Sequence, residues 1–359
     1  MGPLFPAYGV TTVRDTGNPL GWVLPWRAEA PGRPWPRILC TGPLLDGPVP
    51  LHPHVSRACK DLDDAAAAVR ETAAAGVDGI KLYNRLDADW LRPMVDEAHA
   101  AGLKVCIHCQ HFGVLQAGEA GVEEFFHLDG LLADIRGDKP PGWLDYWGTP
   151  EFSQTADRQA RVADEIAALG MAATPTLAYW DSQWRLRTPT HVYSEELQHV
   201  PTDLIRWQAP PPNRTLQARW REALAAAQRF IGLLLEREVT VLAGSDTPCG
   251  PIAPGASLWR ELSLLVGAGM SPAAVLRAAT AEAGRFLGHP ELGRLAPGAI
   301  ADMAFIRGNP LDAIPDPPDV ALVVQSGLIR RPEDLLVDAA DAELDEGEPW
   351  AVQFREHWR

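Results

Sequence analysis

One pattern repeats along most of this chain: a short apolar run is followed by an alanine-rich amphipathic stretch. The apolar runs predict strands at residues 10–15, 37–41, 79–83, 104–109, 123–127, 171–177 and 239–246. The stretches between them predict helices at residues 63–75, 90–101, 155–169 and 215–237, and a helical segment follows at 257–287. Near-continuous apolar strands are typical of a parallel sheet that is buried on both faces. The alternation therefore predicts an α/β fold built from right-handed βαβ units.

The seven predicted strands are one fewer than the eight that close a (β/α)8, or TIM, barrel. We therefore expect residues 1–288 to form a TIM-type barrel that is short of one strand. The pattern changes beyond residue 288, where period-2 stretches at 293–307 and 320–326 predict a small β unit. Residues 289–359 are thus expected to form a second unit that ends in an acidic tail.

Four polar residues end or follow different apolar strands: Lys81, His108, His127 and Asp246. The carboxyl ends of barrel strands meet at one mouth, so we expect these side chains to converge there. Two imidazoles and a carboxylate that face one another suit a divalent cation such as Zn²⁺. Either histidine alone would more simply be a hydrogen-bonded core residue, but the four together favour a metal site.

Lys81 does not suit a metal site in its ordinary state. An ammonium is repelled by a divalent cation, so this lysine becomes a useful ligand only as a neutral amine or as a carbamate. The residues leave one alternative open, in which Lys81 is a buried amine paired with Asp246.

Several stretches resemble the amidohydrolase superfamily, and within it the imidazolonepropionase-like and Xaa-Pro dipeptidase-like branch. They are GVTTVRDTG, GIKLY, VCIHC, EEFFHLDG, VLAGSDT and the closing runs ATAEAGRFLG and GRLAPGAIADMAFI. The resemblance covers almost the whole chain, and the closing runs are its most specific part. It implies a metal-dependent barrel hydrolase with a small β-sandwich, of which residues 289–330 would be a remnant.

The resemblance also implies a role for each strand-end residue. Lys81 matches the bridging lysine that this branch carries as a carbamate, and His108 and His127 match its two strand-end histidine ligands. Asp246 matches the aspartate that holds a metal ion, activates water as a general base and then protonates the leaving group. The cofactor implied is one or two divalent ions, with zinc as the expected metal.

The same branch has a first barrel strand that ends in His-Xaa-His, and almost nothing precedes GVTTVRD in this sequence. We therefore expect the barrel to lack its first strand, and the small sandwich to lack half of its strands. At most one ion should then bind well, on Lys81, His108 and His127.

Other histidines are weaker candidates for ligands. His52-Pro53-His54 spells His-Xaa-His, but it lies in a proline-rich loop rather than at the end of an apolar strand. His111 lies three residues past His108 and is a candidate substrate contact, and Gln110 departs from the small residue usual in the family.

Two long connections, 128–154 and 178–213, follow predicted strands at the expected mouth of the barrel. The second carries Trp180, Trp184 and Trp207. These tryptophans would either form a lid over the site or pack on the rim of the barrel.

The net charge and the cysteine content limit which partners and which cellular compartment we expect. The net charge of −15 repels phosphate backbones and anionic membranes, so we expect a small-molecule substrate and no nucleic-acid or membrane partner. The sequence shows no signal peptide and no apolar run long enough to span a membrane. Five scattered cysteines argue against a disulfide framework and favour the reducing cytoplasm. A homo-oligomer is left open.

The leading prediction is an amidohydrolase that acts on carbon–nitrogen bonds other than peptide bonds. Cyclic amides, amides and dipeptides are its substrate classes, and metal-activated water is the nucleophile. Two alternatives stay open: a truncated, catalytically impaired relative without its full metal site, and a metal-dependent isomerase or lyase on the same scaffold.

Overall fold

The computed structural model describes residues 2–137, 146–185, 197–200, 213–249 and 252–341. Its strands are β1 Thr12–Asp15, β2 Arg37–Cys40, β3 Leu44–Asp46, β4 Ser56–Ala58, β5 Ile80–Leu82, β6 Val105–Ile107, β7 Glu124–Phe126, β8 Ala172–Thr174, β9 Met303–Ile306, β10 Val320–Gln325 and β11 Leu328–Arg330. Its helices are α1 Leu4–Ala7, α2 Leu20–Glu29, α3 Leu62–Ala74, α4 Leu91–Ala100, α5 Val114–Glu119, α6 Leu131–Arg136, α7 Pro150–Ser153, α8 Ala156–Ala168, α9 Leu177–Arg185, α10 Arg214–Glu236, α11 Ala256–Gly267, α12 Pro272–Ala278, α13 Ala281–Phe286 and α14 Pro332–Asp341.

The central sheet is parallel. Six strands lie in the order β4-β3-β5-β6-β7-β8, and a parallel bridge between Ala173 and Val241 extends the sheet past β8. β1 and β2 form a separate parallel pair. The chain passes from β2 into β3 through Gly42, whose φ of 71° favours glycine, so the two sheets share one bent stretch of chain. The predicted α/β fold with a parallel sheet is confirmed.

Strand prediction differs from the structure in two places. Residues 239–246 contribute only the bridge at Val241, with two hydrogen bonds to Ala173, rather than a full strand. The sequence pattern does not predict β3 and β4, because both lie in a segment rich in proline and glycine. Within the described residues no strand pairing joins Val241 to β1, and the absence of a first barrel strand stays a prediction.

Local sequence signals explain where several helices begin. The Asp61 carboxylate accepts the backbone N–H of Asp64 and caps α3. The Ser271 hydroxyl accepts the N–H of Ala274 at the start of α12, where Pro272 occupies the first turn. The alanine-rich face of α3 packs into the core, which places the helix against the sheet.

An ion pair lies buried among the strands. Arg14 in β1 donates two hydrogen bonds of 2.7 Å to the Glu124 carboxylate in β7. The Thr174 hydroxyl in β8 donates a third, at 2.6 Å, to the same carboxylate. Since Glu124 is buried, these bonds satisfy a charge that would otherwise be costly, and they connect β1 to the far side of the sheet.

The C-terminal strands form a small antiparallel sheet in the order β11-β10-β9. Gln325 in this sheet donates from Nε2 to the carbonyl of Trp35, at 2.6 Å, beside the start of β2. A small C-terminal β unit is thus confirmed, while the division of the chain at residue 288 stays a prediction. None of the described helices is both long and apolar enough to cross a bilayer.

Candidate active site

Three of the four strand-end residues lie on or just past the neighbouring strands β5, β6 and β7, and Asp246 lies five residues past the isolated bridge at Val241. Lys81 in β5 is in register with Cys106 in β6, which is in register with Glu124 in β7. His108 lies two residues beyond Cys106, and His127 lies three residues beyond Glu124. His108 and His127 therefore lie further toward the carboxyl ends of the strands than Lys81 does.

His108 and His127 face each other, with ring centroids 4.2 Å apart and planes inclined by 53°. Burial lowers the pKa of His108, although a hydrogen bond to Asp129 partly opposes this effect. Burial also lowers the pKa of His127 well below its usual value, and the nearby His108 and Lys81 charges add to the shift. Both rings are thus favoured as neutral imidazoles, the form that binds metals.

The two imidazoles have different hydrogen-bond partners. His127 Nδ1 lies 2.6 Å from the hydroxyl oxygen of Thr176, which follows β8. His108 Nε2 lies 3.3 Å from Asp129 Oδ2, and the Gln110 amide donates to the same carboxylate oxygen at 3.0 Å. Each ring is therefore oriented by its own neighbour.

Lys81 is buried beneath these rings. Its Nζ lies 3.4 Å from the centroid of the Phe126 ring, a cation–π contact. Burial lowers the pKa of Lys81 to about 8, although the Cys106 and Glu124 charges oppose this effect. The alternative of a direct ion pair with Asp246 is not observed in the described part of the chain, where Lys81 contacts an aromatic face instead.

Asp246 is half-buried near Lys81. Burial raises the pKa of its carboxyl to about 7, against the opposing effects of the Lys81 charge and of a hydrogen bond from the Cys249 thiol. Asp246 has a φ of 59°, and His127 and Thr176 have φ values of 62° and 54°. Three non-glycine residues after adjacent strands thus occupy the left-handed region, a form of backbone strain that clusters at functional sites.

The loop that carries His52-Pro53-His54 reaches this site through Tyr83. The His52 ring lies 5.7 Å from the Tyr83 ring, which packs edge-on against His108 at 5.2 Å. The Asp46 carboxylate holds the loop by accepting backbone N–H groups of Gly47 and Leu51. His52 therefore lies near the site but is separated from the imidazole pair by a tyrosine, and His111 is exposed.

The tryptophans expected to form a lid or to pack on the rim divide between two environments. Trp180 is buried in an aromatic cluster, 5.5 Å from the Trp147 ring and 6.4 Å from the Trp220 ring. Trp184 donates from Nε1 to Asp181 at 2.9 Å and lies under the Arg221 guanidinium. Both side chains thus pack against neighbouring residues of the protein, and the choice between a lid and rim packing stays a prediction, while Trp207 lies outside the described residues.

The types of side chain at this site decide whether it could bind a metal ion. Within the described ranges, no three side chains of the His, Cys, Asp and Glu types come together closely enough to hold an ion. Two neutral imidazoles face each other beside the buried Lys81 and the half-buried Asp246. Catalytic zinc typically has three protein ligands and an open position, so this set would suit a divalent cation only with Lys81 as the third ligand.

Sequence reasoning brings out Lys81, His108, His127 and Asp246 but misses the side chains that orient them. Thr176 lies at the carboxyl end of the predicted strand 171–177 and so carries an unused strand-end signal, whereas Asp129 becomes significant only when the fold brings it to His108. Tyr83 could have been noted from its place two residues beyond Lys81.

Comparison with known proteins assigns the family. The amidohydrolase family model matches residues 6–329. The chain is similar to bottromycin amidohydrolase at 24% identity and a TM-score of 0.72, over 94% of this chain and 76% of that one. It is similar to a protein from Bifidobacterium longum assigned as a prolidase, at 26% identity and a TM-score of 0.63, over 95% and 79% of the two chains.

A Xaa-Pro dipeptidase with methionine bound in its active site is also similar, at 18% identity and a TM-score of 0.64, over 92% of this chain and 77% of that one. A search of curated proteins found no match. The family model spans most of the chain, including all four strand-end residues. This chain therefore belongs to the amidohydrolase family.

Proposed function

We propose that this protein is a metal-dependent hydrolase of C–N bonds in a small molecule. The observation that carries the proposal is the pair of His108, which is buried, and His127, which is half-buried: the two rings face each other beside Lys81 and Asp246 near the carboxyl ends of parallel strands. Membership of the amidohydrolase family supports an enzyme that acts on C–N bonds.

His108, His127 and Lys81 would hold one divalent ion, with zinc as the proposed metal. The lowered pKa of Lys81 favours the neutral amine, which would add to dissolved carbon dioxide and release one proton to form a carbamate. The carbamate would replace a repelled ammonium with an oxygen donor. When bound, the ion supplies Lewis acidity, which polarises the scissile carbonyl and makes water a better nucleophile.

Asp246 is the proposed general base and acid. Its carboxylate would accept a proton from the attacking water at one Oδ atom and return that proton to the leaving nitrogen as the C–N bond breaks. The raised pKa places proton exchange near neutral pH, where a group can both accept and release a proton efficiently. The buried surroundings of Asp246 strengthen its interactions with charges that develop nearby.

The proposed substrates are cyclic amides, linear amides and dipeptides. Dipeptides with a C-terminal proline belong in the test panel, because two structurally similar proteins bear the names dipeptidase and prolidase. The net charge of −15 supports a small-molecule substrate rather than nucleic acid.

A substrate panel with zinc-loaded protein tests this function, with Asp246→Asn as the informative variant. We expect one class to be hydrolysed and kcat to fall about 10²- to 10⁴-fold in Asp246→Asn, the usual contribution of a general base. Asp134→Asn is the matched control, because Asp134 caps a helix by accepting the Val114 N–H and lies outside the site. Absence of hydrolysis by the zinc-loaded protein, or full activity of Asp246→Asn, would contradict the proposal.

One observation favours a second candidate, a catalytically impaired relative. No three-residue cluster of ordinary metal ligands occurs in the described parts of the chain. That candidate predicts a folded protein that binds no zinc and hydrolyses none of the panel, whereas an isomerase or lyase would convert a panel compound without adding water.

A further inference from the structure

The two imidazoles at the site use different nitrogens to contact the protein. His127 turns Nδ1 toward the Thr176 hydroxyl, at 2.6 Å, whereas His108 turns Nε2 toward the Asp129 carboxylate, at 3.3 Å. A neutral imidazole carries a proton on only one of its nitrogens, and the other nitrogen keeps a lone pair. The direction of each hydrogen bond therefore decides which nitrogen remains free to bind a ligand.

Thr176 accepts rather than donates in its bond with His127. Its single hydroxyl proton is directed at the Pro175 carbonyl, 2.7 Å away, so its oxygen is left to accept a proton from the ring. This bond assigns the proton of His127 to Nδ1. Thr176 is buried and has a φ of 54°, an uncommon conformation for a β-branched residue, so the surrounding fold holds the hydroxyl in place against strain.

Asp129 accepts in its bond with His108. The carboxylate oxygen is the acceptor in this pair, so the ring proton of His108 belongs on Nε2. The Gln110 amide donates to the same oxygen of Asp129 at 3.0 Å, which restrains the carboxylate beside the ring. Both imidazoles are thus assigned a tautomer by a neighbour that can only accept.

We propose that Thr176 and Asp129 are positioning residues that set opposite tautomers in the two facing histidines, so that His127 offers Nε2 and His108 offers Nδ1 as the unprotonated nitrogen. This inference extends the proposed function, and the relevance of the two tautomers to catalysis rests on that function. A proton on the wrong nitrogen would occupy the lone pair that a cation needs. Loss of such orienting partners typically weakens metal affinity about 10- to 100-fold.

Nitrogen NMR of the metal-free protein tests the assignment directly. Histidines labelled with ¹⁵N report which ring nitrogen bears the proton, and the His108→Gln and His127→Gln variants identify the two rings among the ten histidines of the chain. We expect His127 to be protonated only at Nδ1 and His108 only at Nε2. The reverse tautomer in either ring, a mixture, or a doubly protonated ring would overturn the proposal.

Variants at the orienting residues separate positioning from a general effect on folding. Thr176→Val keeps the β-branched shape but removes the hydroxyl, and we expect His127 to lose its single tautomer. Thr176→Ser should restore it. Thr174→Val is the matched control, because it deletes a buried threonine hydroxyl two residues away that donates to Glu124 instead. An unchanged His127 in Thr176→Val would refute the role of Thr176, as an unchanged His108 in Asp129→Ala would refute that of Asp129.

Zinc titration of the same proteins distinguishes this inference from the proposed function. If the tautomers are as expected and zinc binds, Thr176→Val and Asp129→Ala should raise the zinc Kd about 10- to 100-fold. If the tautomers are as expected but the wild-type protein binds no zinc, the proposed function fails while the tautomer assignment stands. If zinc binds to rings in the opposite tautomers, only the assignment fails.

Discussion

At the residue scale, the charged side chains among the strands differ in the partners that they contact. Glu124 receives both hydrogen bonds of the Arg14 guanidinium and a third from Thr174, whereas Lys81 contacts mainly the Phe126 ring. Burial lowers the pKa of Lys81, whereas Glu124 opposes the effect of burial on the pKa of Arg14. The Lys81 amine therefore remains available for the proposed chemistry, whereas the Arg14 guanidinium has a structural role.

We predict that Glu124→Gln lowers the free energy of unfolding by about 3–5 kcal/mol, because it leaves the largely buried Arg14 without an opposite charge. Urea unfolding, followed by circular dichroism, measures this difference. Glu97→Gln is the matched control, since Glu97 also binds an arginine, Arg70, at 2.6 Å but on the surface. Its expected cost is below about 1 kcal/mol. Equal effects of the two substitutions would show that burial of the first pair does not matter.

The four principal site residues can be predicted from the sequence because each ends or follows an apolar strand. The hydrogen-bond partners of Thr176 and Asp129 cannot be predicted in the same way. Thr176 is 49 residues from His127 and Asp129 is 21 residues from His108, so their hydrogen bonds exist only after the strands align. Tyr83 is also significant only through the edge-on contact that it makes with His108.

At the element scale, Glu261 joins two helices beside the site. It lies in α11, is fully buried, and accepts the backbone N–H of Ala178 at the start of α9 at 2.6 Å. Its other carboxyl oxygen is buried without a hydrogen-bond partner. Burial raises the pKa of Glu261 from 4.5 to about 8, so this carboxyl is protonated in the folded protein at neutral pH.

The raised pKa of Glu261 makes stability depend on pH. Between pH 4.5 and about 8 the folded protein retains a proton that the unfolded chain releases, so this group makes the free energy of unfolding fall as pH rises. The expected slope is about 1.4 kcal/mol per pH unit. Glu261→Gln keeps the shape and the acceptor for Ala178, and we predict that it removes this part of the slope and makes the protein more stable than wild type at the alkaline end.

Urea unfolding at both ends of this pH window measures the effect. The exposed Glu119, changed to Gln, serves as the control and should leave the slope of the wild-type protein unchanged. A Glu261→Gln protein with the same pH dependence as wild type would show that this carboxyl is ionised in the folded state.

Prediction of whole elements succeeds where the pattern is regular. Six of the seven predicted strands coincide with observed ones because each is a compact apolar run, and all but β2 come before a helix. β3 and β4 escape prediction because they are three residues long and lie among prolines and glycines, and the segment at 239–246 forms only two hydrogen bonds with its neighbour. The formation of short strands thus depends more on pairing with neighbouring strands than on their own sequence.

At the scale of the whole molecule, long-range contacts connect the N-terminal strands to distant parts of the chain. Arg14 reaches Glu124, Gln325 reaches the Trp35 carbonyl, and Trp259 donates from Nε1 to the Tyr8 carbonyl at 2.8 Å. These contacts hold the strand ends in one arrangement. The parallel α/β architecture follows from the alternation of apolar runs and helices. These long-range hydrogen bonds, in contrast, cannot be predicted from any local sequence pattern.

The proposed site requires that residues far apart in sequence meet around one cation. X-ray diffraction from zinc-soaked crystals, recorded on both sides of the zinc absorption edge, locates the ion directly. We predict an anomalous peak between the imidazoles, about 2.0–2.1 Å from His108 Nδ1 and from His127 Nε2, with Lys81 beside it. Absence of a peak between these rings, or a peak bound elsewhere in the molecule while the rings still face each other, would contradict the proposed site.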